Sequence, residues 1–187
     1  VLQEQDLSDF INKYDDYQIA VSNVSKGEIS SFFSNKSAEF FLLSSSVRLP
    51  FVSIYKSPQT LGKDRICNAA ALSVYYPNNN KLCIDIGTCV KFDFVDANNR
   101  YHGGAISPGL RLRYEALFEK TENLPLIEDY SDYNIIGNDT ISSIQSGVHF
   151  GLINEIQGFI KHYNTMFDNL IVVITGGDLK HFDLEQK

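Results

Sequence analysis

Five short stretches of this chain carry residues whose types and spacing suit chemistry. The first is Asp85-Ile86-Gly87-Thr88. Glycine lets the backbone turn sharply and lets another group approach the peptide closely. Backbone N–H groups in such a turn form a concavity for anions, and the Thr88 hydroxyl adds a donor. An aspartate at a strand end, here Asp85, can hold a metal, a water or a monovalent cation beside a phosphate. The same residues also suit a plain hairpin turn, where Asp and Gly are the usual choices. The second stretch, Thr175-Gly176-Gly177-Asp178, would let a nucleotide lie against bare backbone. It equally suits a strand-to-helix connection capped by Asp178. The third, Gly62-Lys63-Asp64-Arg65, sets a planar guanidinium fork beside a carboxylate. The fork suits a ligand carboxylate, and Asp64 can take a proton from an alcohol. The alternative is a helix cap, with Arg65 simply paired to it.

The fourth stretch is Gly103-Gly104-Ala105-Ile106-Ser107-Pro108-Gly109-Leu110. Two glycines inside a strand mark a bulge or the close approach of a ligand; a tight strand-to-helix corner is the other reading. The fifth is Gly147 with Gly151, inside a helical stretch. Each costs about 1 kcal/mol against Ala, which points to close helix or subunit packing. Asn138-Asp139-Thr140, at the start of that helix, suits a ligand or a cap.

The elements that position these residues follow from periodicity. Asp6–Tyr14 predicts a short amphipathic helix, Tyr17–Val24 a buried strand, Ile29–Asn35 a short helix and Glu39–Leu43 a short strand. Ser44–Tyr55 predicts a loop leading to a strand, and Lys56–Lys63 a loop with Pro58 and Gly62. Asp64 to Tyr75 is alanine-rich and predicts a helix. Leu82–Ile84, the alternating Val90, Phe92 and Phe94, and Tyr101–Ile106 predict an antiparallel meander. Ser107-Pro108 predicts a helix start, with Ser as N-cap and Pro at the first helical position. Asn138 or Asp139 is expected to cap a longer helix whose buried side includes Ile141, Ile144, Val148, Leu152 and Ile156. Leu170–Ile174 predicts a last buried strand. A meander followed by helices and a strand belongs to the α/β or α+β class.

Composition removes classes without choosing one. The 16 Lys+Arg against 23 Asp+Glu give a net charge of −7, and no basic cluster offsets it, which argues against nucleic acid as a partner. No apolar run is long enough for a bilayer. The three cysteines Cys67, Cys83 and Cys89 contain no CxxC pair, so neither a disulfide framework nor a zinc site is expected and a reducing, cytoplasmic setting is.

Taken in order, YKSPQTLGKDR, CIDIGTCVKFD, YHGGAISPGL, GNDTISSIQSGVHFG and VVITGGD resemble the type III pantothenate kinases. The resemblance runs from about Tyr17 to Asp178. Its most specific parts are Tyr55-x-x-Pro58, Leu61-Gly62-x-Asp64-Arg65 and the glycine-rich octapeptide. It implies the two-lobed actin-like (ribonuclease H-like) α/β fold of the actin/hexokinase/Hsp70 superfamily, with mixed sheets flanked by helices. Residues 1–79 would be the remainder of an N-terminal lobe with its connecting helix, and 80–187 the C-terminal lobe. The implied reaction is phosphoryl transfer from ATP to the 4′-hydroxyl of pantothenate, the first step of coenzyme A synthesis. Asp64 would be the general base. Tyr55, Gly62, Lys63, Asp64, Arg65 and Thr140 would hold pantothenate. Gly87, Thr88, Gly176 and Gly177 would face ATP. Asp85 would bind a monovalent cation, K⁺ or NH₄⁺, and Mg²⁺ would accompany ATP. A homodimer is implied, with substrate near the subunit interface.

Two departures accompany the resemblance. Position 91 is Lys where the family usually has Thr; Lys91 either points to solvent or alters the phosphate region. The family also opens with an Asp-x-Gly-Asn-Thr phosphate loop that this sequence lacks, and the elements expected after Asp178 are short. A fragment of a longer protein is therefore expected. The rival readings are a non-catalytic relative that kept the pantothenate pocket, and another small-molecule kinase of the superfamily.

Overall fold

A computed structural model describes residues 19–21, 40–43, 47–131 and 133–182. The helices expected over 6–14 and 29–35 lie outside the described residues. Strands β1 (Ile19–Val21) and β2 (Phe40–Leu42) pair in parallel as a small two-stranded sheet. The main sheet has five strands: β3 (Val52–Ser53), β4 (Asn80–Ile86), β5 (Cys89–Val95), β6 (Arg100–Pro108) and β7 (Leu170–Thr175). Their spatial order is β3-β6-β5-β4-β7. The central β4, β5 and β6 form the predicted antiparallel meander, while β7 joins β4 and β3 joins β6 in parallel. Among the described residues, three α-helices flank these strands: α1 (Lys63–Tyr75), α2 (Leu110–Lys120) and α3 (Thr140–Met166).

Alternation along the strands divides the sheet into two unlike faces. Leu82, Ile84 and Ile86 of β4 and Val90, Phe92 and Phe94 of β5 are buried against α2 and α3. Leu110, Tyr114, Ile144, Val148, Leu152 and Ile156 meet them from the helices. Burying each such aliphatic side chain contributes about 2 kcal/mol. The other face carries Asp85, Lys91 and Asp93, packs against α1, and has a smaller apolar cluster of Phe51, Leu61, Ala69, Val95 and Tyr101. The expected division after residue 79 falls between α1 and β4, which pack together, and β3 is joined to β6.

Each helix start has a local cause. The Asp139 side chain accepts from the Ser142 N–H, and the Ser142 hydroxyl accepts from the Asp139 N–H, so α3 opens on a complete capping box. The periodicity behind α3 is correct except at its first position: Ile141 is 50% exposed. The start of α2 differs from expectation. Ser107 does not cap it; β6 runs on through Pro108, with Ser107 paired to Val90 and Pro108 to Cys89. The Ser107 hydroxyl is used by Glu155 of α3 instead. Proline is tolerated at the strand's last residue because the ladder needs no further N–H there. Gly109 becomes the N-cap, and its N–H donates to the Thr88 carbonyl at 3.0 Å.

Candidate active site

The β4–β5 hairpin sets the site. Three residues, Gly87, Thr88 and Cys89, lie between the paired Ile86 and Val90, and this register sets Asp85 opposite Lys91. Directly opposed residues of a pair project to the same face. Asp85 and Lys91 therefore point together toward α1, whose first turn carries Asp64. The Lys91 ammonium lies 2.8 Å from Asp85 Oδ2 and 2.5 Å from Asp64 Oδ2. Asn68, one turn along α1, donates its Nδ2 to Asp85 Oδ2 at 3.3 Å.

Asp64 is half-buried, and both of its oxygens are engaged. Oδ2 takes the Lys91 ammonium, and Oδ1 accepts the Arg65 backbone N–H at 2.9 Å. Burial opposes the negative charge, but Lys91 and that N–H outweigh it and hold the carboxyl below its usual range. The N-terminal end of α1 favours an anion in the same sense. Lys91 moves oppositely: burial disfavours its charge, yet the two carboxylates hold it firmly protonated. Each carboxylate oxygen keeps a second lone pair, so Asp64 can still accept a hydroxyl proton.

Arg65 does not present an open fork. It is 5% exposed, and its Nε donates to Asp93 Oδ1 at 2.8 Å while Nη2 lies 2.7 Å from the same oxygen. Asp93 is fully buried and also accepts from the Tyr101 hydroxyl at 2.6 Å. Burial raises the Asp93 carboxyl above its usual range despite Arg65 and Tyr101. One edge of the Arg65 fork, expected to meet a ligand carboxylate, is turned to a single oxygen of a buried acid inside the protein. Tyr55 completes the group, with the Arg65 guanidinium 5.6 Å from its ring centre. Gly103, at φ 91°, makes room for that ring, since a Cβ there would press on it.

The glycine turns expected to face ATP converge on the end of β4. Gly176 adopts φ 112°, and any side chain there would strike the Ile86 backbone. The Asp178 N–H donates to the Ile86 carbonyl at 3.1 Å. Thr88 and Gly177 are exposed, and the space beside Gly87 and Gly177 is open. These residues fit a nucleotide lying across the hairpin tip. Asp85 does not fit a monovalent ion in the same way, because the ammonium of Lys91 already stands at its Oδ2. Among the described residues, no group of three or more His, Cys, Asp or Glu is arranged to hold a metal ion. No helix among them is long and apolar enough to cross a membrane.

The model of the type III pantothenate kinases matches residues 5–162. The chain belongs to the type III pantothenate kinase family. A type III pantothenate kinase of Flavobacterium johnsoniae is 43% identical over 175 residues, covering 94% of this chain and 71% of that protein. One from Christiangramia forsetii is 40% identical over 179 residues, covering 91% and 74%. A solved structure from Campylobacter jejuni, described as a Baf family transcriptional activator, has a TM-score of 0.54 at 20% identity, covering 92% of this chain and 78% of that one. That likeness concerns the fold alone.

Set against what the family resemblance implied, the structure brings Tyr55, Gly62, Asp64, Arg65 and Asp85 to one face of the sheet. Lys63 opens α1 beside them. Gly87, Thr88, Gly176 and Gly177 gather at the strand end. Thr140 stands apart. It opens α3, on the other face of the sheet, and lines a cavity of about 1170 Å³ with Leu112, Arg113 and Gly147. Asn68, Asp93 and Tyr101 were not expected from the sequence. Lys91 was noticed only as a departure; its place against Asp85 depends on the three residues Gly87, Thr88 and Cys89 between the paired Ile86 and Val90.

Proposed function

We propose that this chain carries the site of an ATP-dependent pantothenate kinase, transferring the γ-phosphoryl group to the 4′-hydroxyl of pantothenate at the entry to coenzyme A synthesis. The observation that supports it is Asp64: an ionised, half-exposed carboxylate at a helix start, beside glycine turns that suit phosphate. The pantothenate oxygen attacks the γ-phosphorus, the bond to the ADP oxygen breaks, and the hydroxyl proton passes to an Asp64 oxygen. A weak base is enough, because the loose transition state demands positioning and charge stabilisation above all. Mg²⁺ accompanying ATP would neutralise charge on the phosphates. Gly87, Thr88, Gly176 and Gly177 would hold the nucleotide, and Tyr55, Gly62 and Lys63 would shape the pantothenate pocket. Arg65 would act through Asp93, fixing α1 to β5 and so fixing Asp64.

The two-lobed actin-like arrangement, divided near residue 79 with α1 as the connecting helix, is part of the same reading. So is a homodimer in the cytoplasm. Thr140 faces away from Asp64 across the sheet, and a second copy presenting its own α3 start is the route by which the two meet on one pantothenate. Gly147 and Gly151 lie exposed on α3, where a second helix could approach closely. Conversion of pantothenate to 4′-phosphopantothenate by the full-length protein tests the function. Asp64→Asn should lower kcat by 10²-fold or more, the usual worth of a positioned base. Unaltered turnover in that variant would remove Asp64 from the reaction.

A further inference from the structure

Lys91 is the charged group at the site that the reaction above leaves unused. Its side chain is only 18% exposed. It reaches neither solvent nor an empty wall, but the gap between two carboxylates on different elements, Asp85 of β4 and Asp64 of α1. The groups facing it are those two acids and Asn68; the nearby Arg65 is committed to Asp93. The family resemblance places a K⁺ or ammonium ion at Asp85. A free ion there would have to share Asp85 with an ammonium already 2.8 Å away. Like charges so close on one carboxylate repel strongly in a half-buried site.

We infer that the Lys91 ammonium takes the place of the monovalent cation at Asp85, so that this protein works without K⁺ or NH₄⁺. The inference rests on the pantothenate kinase reading of the site. Chemically the exchange is close: a lysine head is a compact +1 charge, an ammonium ion carrying one alkyl group. It has three N–H donors. Asp85 and Asp64 take two, and the third is left for an oxygen of the substrate or of the group in transfer. The tether also means that the charge is ordered when the chain folds, not at each binding event.

The test compares the full-length wild type with Lys91→Thr and Lys91→Met in choline, KCl and NH₄Cl at constant ionic strength. Rates and melting temperatures are both read. The wild type should turn over within twofold of the same rate in all three salts, with no melting shift specific to K⁺ or NH₄⁺. Lys91→Thr should lose at least 30-fold in choline, regain at least tenfold in K⁺ or NH₄⁺, and melt higher in those salts, as a protein does when it binds an added ligand. Lys91→Met, which keeps length and loses charge, should fall in choline as well. A wild type stimulated tenfold by K⁺ would overturn the inference. So would a folded Lys91→Thr with equal rates and equal melting in every salt, the behaviour of a purely structural lysine. The melting arm needs no turnover: if pantothenate were not the substrate, a K⁺-specific shift confined to Lys91→Thr would still support the exchange, and its absence would still overturn it.

Discussion

Arg65 and Asp93 pair inside the protein through a single carboxylate oxygen, with Asp93 Oδ2 left without a hydrogen-bond partner, and that pairing sets what each residue can be asked to do. Removing one partner leaves an uncompensated buried charge, which costs about 3 kcal/mol or more. Arg65→Ala should therefore lower the urea midpoint sharply, whereas Arg65→Met with Asp93→Leu should recover most of the loss. Asp64 offers a different measurement. Lys91 favours its ionised form, so the acid limb of kcat/KM should lie below the usual carboxylate range in the wild type. Taking away the ammonium in Lys91→Met raises the Asp64 pKa, and the limb should move to higher pH. Gly62-Lys63-Asp64-Arg65 marks Asp64 as a candidate acid or a helix cap, and the structure gives it no capping hydrogen bond at Gly62, the N-cap of α1. The role of Arg65 is not legible there, because its partner Asp93 is 28 residues away and declares itself only through the strand it sits on.

Element by element, local signals carried furthest where capping and periodicity agreed. Asp139 and Ser142 announce α3, and Asp139→Ala should cost about 1 kcal/mol in a denaturant titration. Ser107-Pro108-Gly109 misleads because the same triplet suits a cap or a strand end; Glu155, 48 residues on, decides it by taking the Ser107 hydroxyl. Gly176 is forced by both its left-handed backbone and the Ile86 carbonyl beneath it. Gly176→Ala should destabilise by more than about 1 kcal/mol and raise the KM for ATP, through strain and displacement of the turn. His149 of α3 is fully buried against Tyr114, stacked 4.0 Å from Tyr133, and burial lowers its pKa. A lowered pKa means stability fully present above about pH 6.5, the ordinary histidine value, and lost as pH falls below it. The urea midpoint should drop between pH 7.5 and 5.5, and His149→Gln should flatten that slope.

At the scale of the molecule, the sheet separates a packed face from a reactive one. If Thr140 meets Asp64 across a subunit boundary, two defective proteins should repair each other. Mixing Asp64→Asn with Thr140→Ala under subunit exchange should restore about a quarter of wild-type sites, the share expected for random pairing in a two-fold dimer. Recovery no greater than the sum of the separate rates would place both residues in one subunit. The packed face was readable from alternation alone. The reactive face was not, since its ion pairs join β4, β5 and α1 through side chains that no periodicity reports. That separation also shapes what mutation can do. The backbone holds positions 85 and 91 opposite each other, and none of the apolar core depends on what position 91 carries. Lysine and threonine codons differ by a single nucleotide at their second base. One point change in the gene could therefore move this lineage between a counter-ion carried in its own chain and one borrowed from the salts of its surroundings, leaving the rest of the fold unaltered.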